Sequence, residues 1–445
     1  MRCARWSSRV APAVALLAGL GCEPAVPASR IHARLRAIDR PNIVLIVVDT
    51  LRADWTSPYG SEHDTSPELM RWAERGIVFE KTRAQSSWTK MSMASLMTSL
   101  WPQSHAIRDY ADGLGDGAVT LAETFQRAGY ATFGVQTNGW LHQTFGFHQG
   151  FDRYVFPTGR GARRLPKATV WPHTDRVLEE TQRLLDGRPR DRPFFLYLHF
   201  MDVHEYAAPN EFKHFGSDNK GAYLAAIRWV DDGLTRVREA LDDAGVLEDS
   251  LIVLGSDHGE AFGENGQYGH ARNVLTAVVS VPLIIRPPFA TAPIRVASQV
   301  RNIDIAPTLL DAAGIEVPEP FEGRSLWPLV AEAGEGRSTA DRESYAGLGL
   351  PLFPDASVQH AINTGSWTLA RSVAPDPNPV ELLYDRRVDP DENVNLIERE
   401  PRDAERMRAV LDAYLAREPT AGVLKSDVRI DPQIAEKLRA LGYAQ

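Results

Sequence analysis

The sequence predicts an α/β fold, a mostly parallel central sheet flanked by helices, with a small antiparallel subdomain at the C-terminal end. Three observations carry that reading. The runs Asn42–Val48 and 251–256 are continuous, apolar and rich in β-branched residues, as strands buried on both faces are. Apolar runs then alternate with amphipathic stretches, the pattern of strands joined by crossover helices. Beyond about residue 337 the texture changes to short segments between Pro- and Asp-rich turns.

Taken in order, residues 1–22 read as a signal peptide of lipoprotein type. Arg2, Arg5 and Arg9 precede an apolar stretch from Val10 to Leu20, which is too short to span a bilayer. It ends in Ala18-Gly19-Leu20-Gly21-Cys22, similar to a bacterial lipoprotein cleavage site, with Gly19 where a larger apolar residue is usual. Ordinary cleavage near Ala25 or Ala28 is the alternative. A lipid on Cys22 would anchor the chain without spanning the membrane. The expected location is therefore exported: a cell-envelope lipoprotein, or a periplasmic or extracellular protein. Residues 23–40, with Pro24 and Pro27, read as a tether. Cys3 and Cys22 are the two cysteines, so the body is expected to hold neither disulfide nor reactive thiol.

Residues 41–336 read as one catalytic α/β domain. After the strand at 42–48 come helices at 67–76 and 120–128, a strand at 131–135, a helix at 175–186 and a strand at Phe194–Phe200. The long helix 219–245 repeats Tyr223, Ile227, Val230, Leu234, Val237 and Leu241 on one face, with Asp231 and Asp232 expected in solvent. A strand at 282–286 and a helix at 304–313, stopped by Gly314, complete the domain. Residues 337–420 form the antiparallel subdomain, with strands near 366–370 and 381–384 and a helix at 401–417. Residues 421–445 are a tail, expected to pack back on the body.

Net charge is -9, with a pI near 5.8, which argues against nucleic acid as a partner. No later apolar run is long and uncharged enough to cross a membrane, so membrane contact is expected only through the lipid anchor. In an open α/β sheet, ligands bind outside the carboxyl ends of the strands. Asp49, Asp257 and His258 stand at two such ends, and together they suggest a metal site fed from distant parts of the chain.

The stretch from Pro41 to Asp54 and the motif Gly255-Ser-Asp-His-Gly-Glu260 resemble the sulfatase family of the alkaline phosphatase-like superfamily. So do Phe262-Gly-Glu-Asn-Gly266, Gly269-His270, Phe194-Phe-Leu-Tyr-Leu-His199 with Asp202 and His204, Ile303-Asp-Ile-Ala-Pro-Thr-Leu-Leu310 and Gly323-Arg-Ser-Leu326. The resemblance spans roughly Pro41 to Leu396. It implies one divalent metal ion (Ca, Mn, Zn or Mg) held by Asp49, Asp257, His258 and the nucleophile. The oxygen and nitrogen donors suit Mn or Zn at least as well as Ca or Mg.

In most sulfatases the nucleophile is a cysteine or serine oxidised to formylglycine, followed by a proline and an arginine. The matching positions here are Thr89, Met91 and Met93, and Thr50 replaces a second metal-binding aspartate. No formylglycine is expected. Thr89 resembles the nucleophile of threonine-type members such as lipoteichoic acid synthase and phosphoethanolamine transferases. His204 and His270 are expected beside the transferred group, binding its oxygens or protonating the leaving oxygen, and His270 alternatively binds metal. Lys90 is expected to supply the positive charge that Met93 no longer does; a surface position at a helix start is its plain alternative. Ser92 and Ser95 read as caps or simple helix residues, and a helix at 92–98 would turn its N-terminus toward the site. Asn302 and Asp304 read as structural supports. The basic stretch 153–167 reads as a solvated loop, with contact to an anionic substrate as the alternative, and 142–172 is expected to read the substrate's alcohol portion.

The expected activity is metal-dependent hydrolysis of sulfate or phosphate esters through Thr89, phosphate esters or diesters slightly favoured. The substrate is a small anionic ester or a glycan or lipid head group. The rivals are a phospho-group transferase at the membrane surface and an inactive binding lipoprotein, the latter motivated by Thr50, Met91 and Met93.

Overall fold

The computed structural model describes residues 25–157, 173–349, 357–373, 379–417 and 425–430. Its centre is an eight-stranded sheet of β1 (Asn42–Val48), β2 (Ile77–Phe79), β3 (Ala131–Gln136), β4 (Arg153–Val155), β5 (Phe194–Phe200), β6 (Ser250–Gly255), β7 (Leu283–Arg286) and β8 (Ile294–Val296), in the order β8-β2-β7-β6-β1-β5-β3-β4. Only β7 runs antiparallel to its neighbours. The central strands β1, β5 and β6 bury nearly every residue, which is why they read as unbroken apolar runs.

Each face of the sheet carries its own core, because successive side chains of a strand point to opposite faces. Ile43, Leu45 and Val47 face one core and Val44, Ile46 and Val48 the other. The first core takes α1 (Ala28–Arg36), α3 (Thr89–Thr98), α4 (Leu121–Arg127), α7 (Ile305–Ala312) and α8 (Trp327–Gly334). The second takes α2 (Pro67–Ala73), α5 (Thr174–Asp186) and α6 (Asn219–Asp243). Local signals fix several helix starts. Thr120 and Glu123 form a capping box at α4, and the Asp218 carboxylate accepts from Gly221 N–H at α6. A four-stranded antiparallel sheet of β9 (Ser344–Leu348), β10 (Val358–Thr364), β11 (Trp367–Val373) and β12 (Val380–Asp385) packs against α9 (Pro401–Leu415) around Ile362, Leu369, Leu383, Met407 and Leu411. The strand Lys425–Asp427 pairs with Asp112–Leu114, so the tail's described residues lie on the body.

Two expectations need correction. The described part of 23–40 is not a loose tether: it contains α1, whose Ile31 and Leu35 are fully buried, and His32 stacks on Trp327 and bonds Asp311. Its apolar spacing makes it amphipathic, and it completes the core below α7 and α8. Asp231 is not solvated. It is 2% exposed, and its two oxygens accept from Glu68 N–H and Leu69 N–H, capping α2 from α6. Arg153 lies on an edge strand; residues 158–172, which include most of the basic stretch and the second half of the expected substrate loop, lie outside the described residues.

Candidate active site

The site lies at the carboxyl ends of β1, β3, β5 and β6. Asp49 directly follows β1 and Asp257 follows β6 by two residues; both are fully buried. The adjoining Thr50 takes φ +58°, a left-handed conformation that a β-branched residue rarely adopts. That backbone turn directs Thr50 N–H to Asp257 Oδ1 at 3.1 Å, so the residue in place of a second aspartate holds the other acid through its main chain. Strain of this kind persists where surrounding structure enforces it.

The nucleophile candidate opens a helix. Thr89 is the first residue of α3, one turn earlier than the helix expected at 92–98, and all ten residues of α3 are buried. Its Oγ1 lies 3.2 Å from His258 Nε2 and 3.4 Å from Asn138 Nδ2. Neither serine is a cap: Ser92 Oγ donates to Asp257 O at 2.6 Å, tying α3 to the acid's backbone, and Ser95 Oγ pairs with His105 Nε2 at 3.0 Å. Asn302 Nδ2 donates to Ser256 O, and Asp304 accepts from Arg301 and from Arg324 N–H, so both act on backbone and neighbouring side chains.

The two acids are half-satisfied. Asp49 Oδ2 receives Asn138 Nδ2 at 2.7 Å and His199 Nε2 at 2.9 Å, and Asp257 Oδ1 receives Thr50 N–H and His258 N–H. Asp49 Oδ1 and Asp257 Oδ2 have no hydrogen-bond partner. Both orphaned oxygens face His258 Nε2, at 3.9 and 3.3 Å. His258 Nδ1 sits 3.0 Å from Gly259 O, and donation there leaves the Nε2 lone pair toward the carboxylates. Unpaired buried carboxylate oxygens are costly unless a cation compensates them. The donor set therefore fits a divalent ion, and ligand atoms of Asp49, His199 and Asp257 also lie within 4.8 Å of one another. His199 bonds the satisfied oxygen of Asp49 while Tyr197 O–H holds its Nδ1 at 2.8 Å, the arrangement of a group that orients the acid.

Charge follows the same geometry. Burial pushes Asp49 toward its neutral form, but the His199 hydrogen bond and the charges of His204, His199 and His258 outweigh it and hold the carboxyl below its ordinary range. Asp257 is raised by burial and by the nearby Asp49 charge. His258 is lowered by burial, which keeps it available as a neutral ligand.

His204 and His270 stand at the mouth. Their rings are 4.8 Å apart, and that of His270 is 4.7 Å from that of His258. His270 Nδ1 meets Glu260 Oε2 at 3.0 Å. Burial disfavours the His204 cation, but the pairing of its Nδ1 with Glu205 Oε1 at 3.3 Å and the charges of Asp49, Glu205 and Glu260 win and raise it to about 9. A histidine charged at neutral pH beside the two acids can bind an anionic oxygen or release a proton.

Lys90 is a correction. Its Nζ donates to Tyr110 O at 2.7 Å and Asp112 O at 2.8 Å, and lies over the rings of Trp88, Trp140 and Phe145. The position after Thr89 turns its side chain into this cage, so the ammonium is spent on the fold; burial lowers its pKa well below the usual lysine value. Asn138 and His199 join the site as well, both on Asp49 Oδ2, with no sequence motif that assigns them there. The available signal was position: each lies at or just past the carboxyl end of a buried strand.

The family profile described as Sulfatase matches residues 41–315, and the one described as N-sulphoglucosamine sulphohydrolase, C-terminal, matches residues 263–418. The chain is 24% identical to arylsulfatase K of Homo sapiens over 436 residues, covering 82% of this chain and 80% of that protein. It is 26% identical to choline-sulfatase of Rhizobium meliloti (strain 1021), covering 85% and 86%. The solved phosphonate monoester hydrolase of Agrobacterium radiobacter has a TM-score of 0.70 at 19% identity, covering 84% of this chain and 95% of that one. A protein solved with its substrate D-glucosamine-2-N,6-O-disulfate has a TM-score of 0.69 at 19% identity, covering 84% and 97%.

Proposed function

The chain belongs to the sulfatase family, and from that premise we propose a metal-dependent ester hydrolase that uses Thr89 as nucleophile and favours phosphate esters or diesters over sulfate esters. The observation that carries the reading is the convergence of Thr89 Oγ1, His258 Nε2 and the two unpartnered carboxylate oxygens. A divalent ion held by Asp49, Asp257 and His258 would lower the pKa of the threonine hydroxyl, as such ions do for bound water, and would polarise the ester oxygen.

The chain's own groups supply the remaining parts. Thr89 stands at the N-terminus of α3, where the helix dipole and free N–H groups favour an anion. Asn138 and His199 fix the Asp49 carboxylate, and Asn138 also holds Thr89 Oγ1. Thr89 Oγ bonds to phosphorus or sulfur as the bond to the alcohol oxygen breaks, and His204 or His270 gives that oxygen its proton. Water then attacks the same central atom and returns Thr89 as the free alcohol. A threonine ester carries no second hydroxyl on its carbon and cannot collapse to an aldehyde, so release by water is required. This favours phosphoryl chemistry. The named substrates of neighbours, a disulfated glucosamine and a phosphonate monoester, are both anionic and support a substrate of that class, including a glycan.

The test is a side-by-side assay of an aryl sulfate, a phosphate monoester and a phosphate diester. Phosphate monoester or diester turnover should exceed sulfate turnover, and Thr89→Ala should lower all of it by about 10^4-fold or more. Equal rates in the variant would remove Thr89 as nucleophile. Sulfate as the best substrate would overturn the phosphate preference. A purified chain with no metal and no activity across Ca, Mn, Zn and Mg would leave the inactive-binder reading.

A further inference from the structure

The amino end of the sheet carries a feature that hydrolysis does not use. Helix α1 displays Arg30, Arg34 and Arg36 to solvent, and Arg40 follows in the connection to β1. The helix contains no acidic residue. Arg36 donates to Asp311 O, and Arg40 donates to Ala128 O and lies over the Tyr130 ring. Among the described residues, no carboxylate forms an ion pair with any of the four. Asp39 is the exposed acid within the segment. In a chain of net charge -9, four exposed arginines against one acid within residues 30–40 run against the background, and of the acids outside that segment Asp311 feels the charge of Arg36. Cations help near a helix C-terminus, which accounts for Arg34 and Arg36 in the last turn of α1, but Arg30 lies in the first turn, where the dipole disfavours it, and Arg40 lies beyond the helix.

The placement of this face is fixed. Val26 N–H bonds Ala290 O and Val26 bridges to Thr291, so the chain is bound to the body from its first described residues. Ile31, Leu35 and the His32–Trp327 stack hold α1 down. The chain then enters β1 at Asn42, and Asp49 lies past its far end. Seven strand residues span about 23 Å, so the arginines and the active site lie at opposite ends of the sheet. Three residue steps separate Ala25 from Cys22, a reach of about 10 Å when extended.

We infer that the α1 face is a membrane-facing surface that binds anionic phospholipid head groups, and that it holds the active site pointing away from the bilayer. The inference goes beyond the hydrolytic reading and draws on the lipid-anchor reading of Cys22. A short anchor brings the arginines within about one Debye length of the membrane surface, where each basic residue adds to binding. The orientation selects substrates in the aqueous phase and turns the catalytic centre away from head groups of the same membrane.

The test needs no catalysis. The chain from Ala25 onward keeps every described contact, and its binding is measured against vesicles of pure phosphatidylcholine and vesicles containing phosphatidylglycerol. Binding is expected only to the second kind, weakening as salt rises. Replacing Arg30, Arg34, Arg36 and Arg40 by Gln should reduce it by roughly ten-fold or more. The body lacks cysteine, so a fluorophore can be placed through Ala33→Cys or Tyr268→Cys and read with a head-group quencher. Quenching at 33 and not at 268 supports the orientation. Binding that ignores lipid charge, survives the four substitutions, or quenches 268 as strongly as 33 overturns the proposal.

Discussion

Two regions bury aspartates equally well and treat them oppositely. At the carboxyl end of the sheet, Asp49 and Asp257 each keep one oxygen without a partner. In the helical layer, Asp231 has both oxygens bound by backbone N–H groups of α2. Asp202 likewise accepts from His173 N–H and Thr174 Oγ1, at the start of α5. Burial therefore does not distinguish a structural acid from a functional one. Among these four aspartates completeness of the hydrogen bonds does, because a buried carboxylate oxygen left empty carries a cost that a bound cation would offset.

The comparison can be broken most sharply at the site. Asp49→Asn or Asp257→Asn should lower hydrolysis by about 10^3-fold or more and abolish stoichiometric metal, read by elemental analysis. The melting temperature of metal-free Asp257→Asn should change little or rise, since burial and the Asp49 charge leave Asp257 poorly compensated, whereas that of Asp49→Asn should fall, since its charge is held by His199, His204 and His258. Full metal content in both variants would refute the assignment. Asp231→Ala should do the reverse. It strands two buried N–H groups and should cost about 2–4 kcal/mol in denaturant unfolding, with metal content and the rate per folded molecule unchanged.

A pH experiment sharpens the contrast. Burial raises Asp231 to about 7, against the contributions of its two N–H bonds. The fold then binds a proton that the unfolded chain has released, so this group's contribution is most favourable below about pH 4 and declines as pH rises to about 7. Asp231→Asn, which cannot ionise, should lack that decline, and the difference between the two stability curves should be a few kcal/mol. Curves that stay parallel between pH 4 and 7 would contradict the raised value. The smallest effect is expected at Lys90. Lys90→Met keeps the aromatic cage filled and should leave kcat within about three-fold once folded protein is compared; a loss near that of Thr89→Ala would restore Lys90 to the reaction.

Read alone, the sequence determined the central strands, the acids at their ends and the position of Thr89. Strand burial follows from unbroken apolar runs, and sheet chirality and crossover rules leave the ligand site only one end to occupy. The tertiary structure decided which polar atoms meet. Asn138 and His199 reach Asp49 across 89 and 150 residues, Asp231 reaches α2 across 163, and Lys90 turns from the site into an aromatic cage. It also turned a Pro-containing leader into α1, because Ile31 and Leu35 had a core to enter. Periodicity fixes the face on which a side chain lies, but its partner is set by packing between elements, and packing is a property of the whole chain.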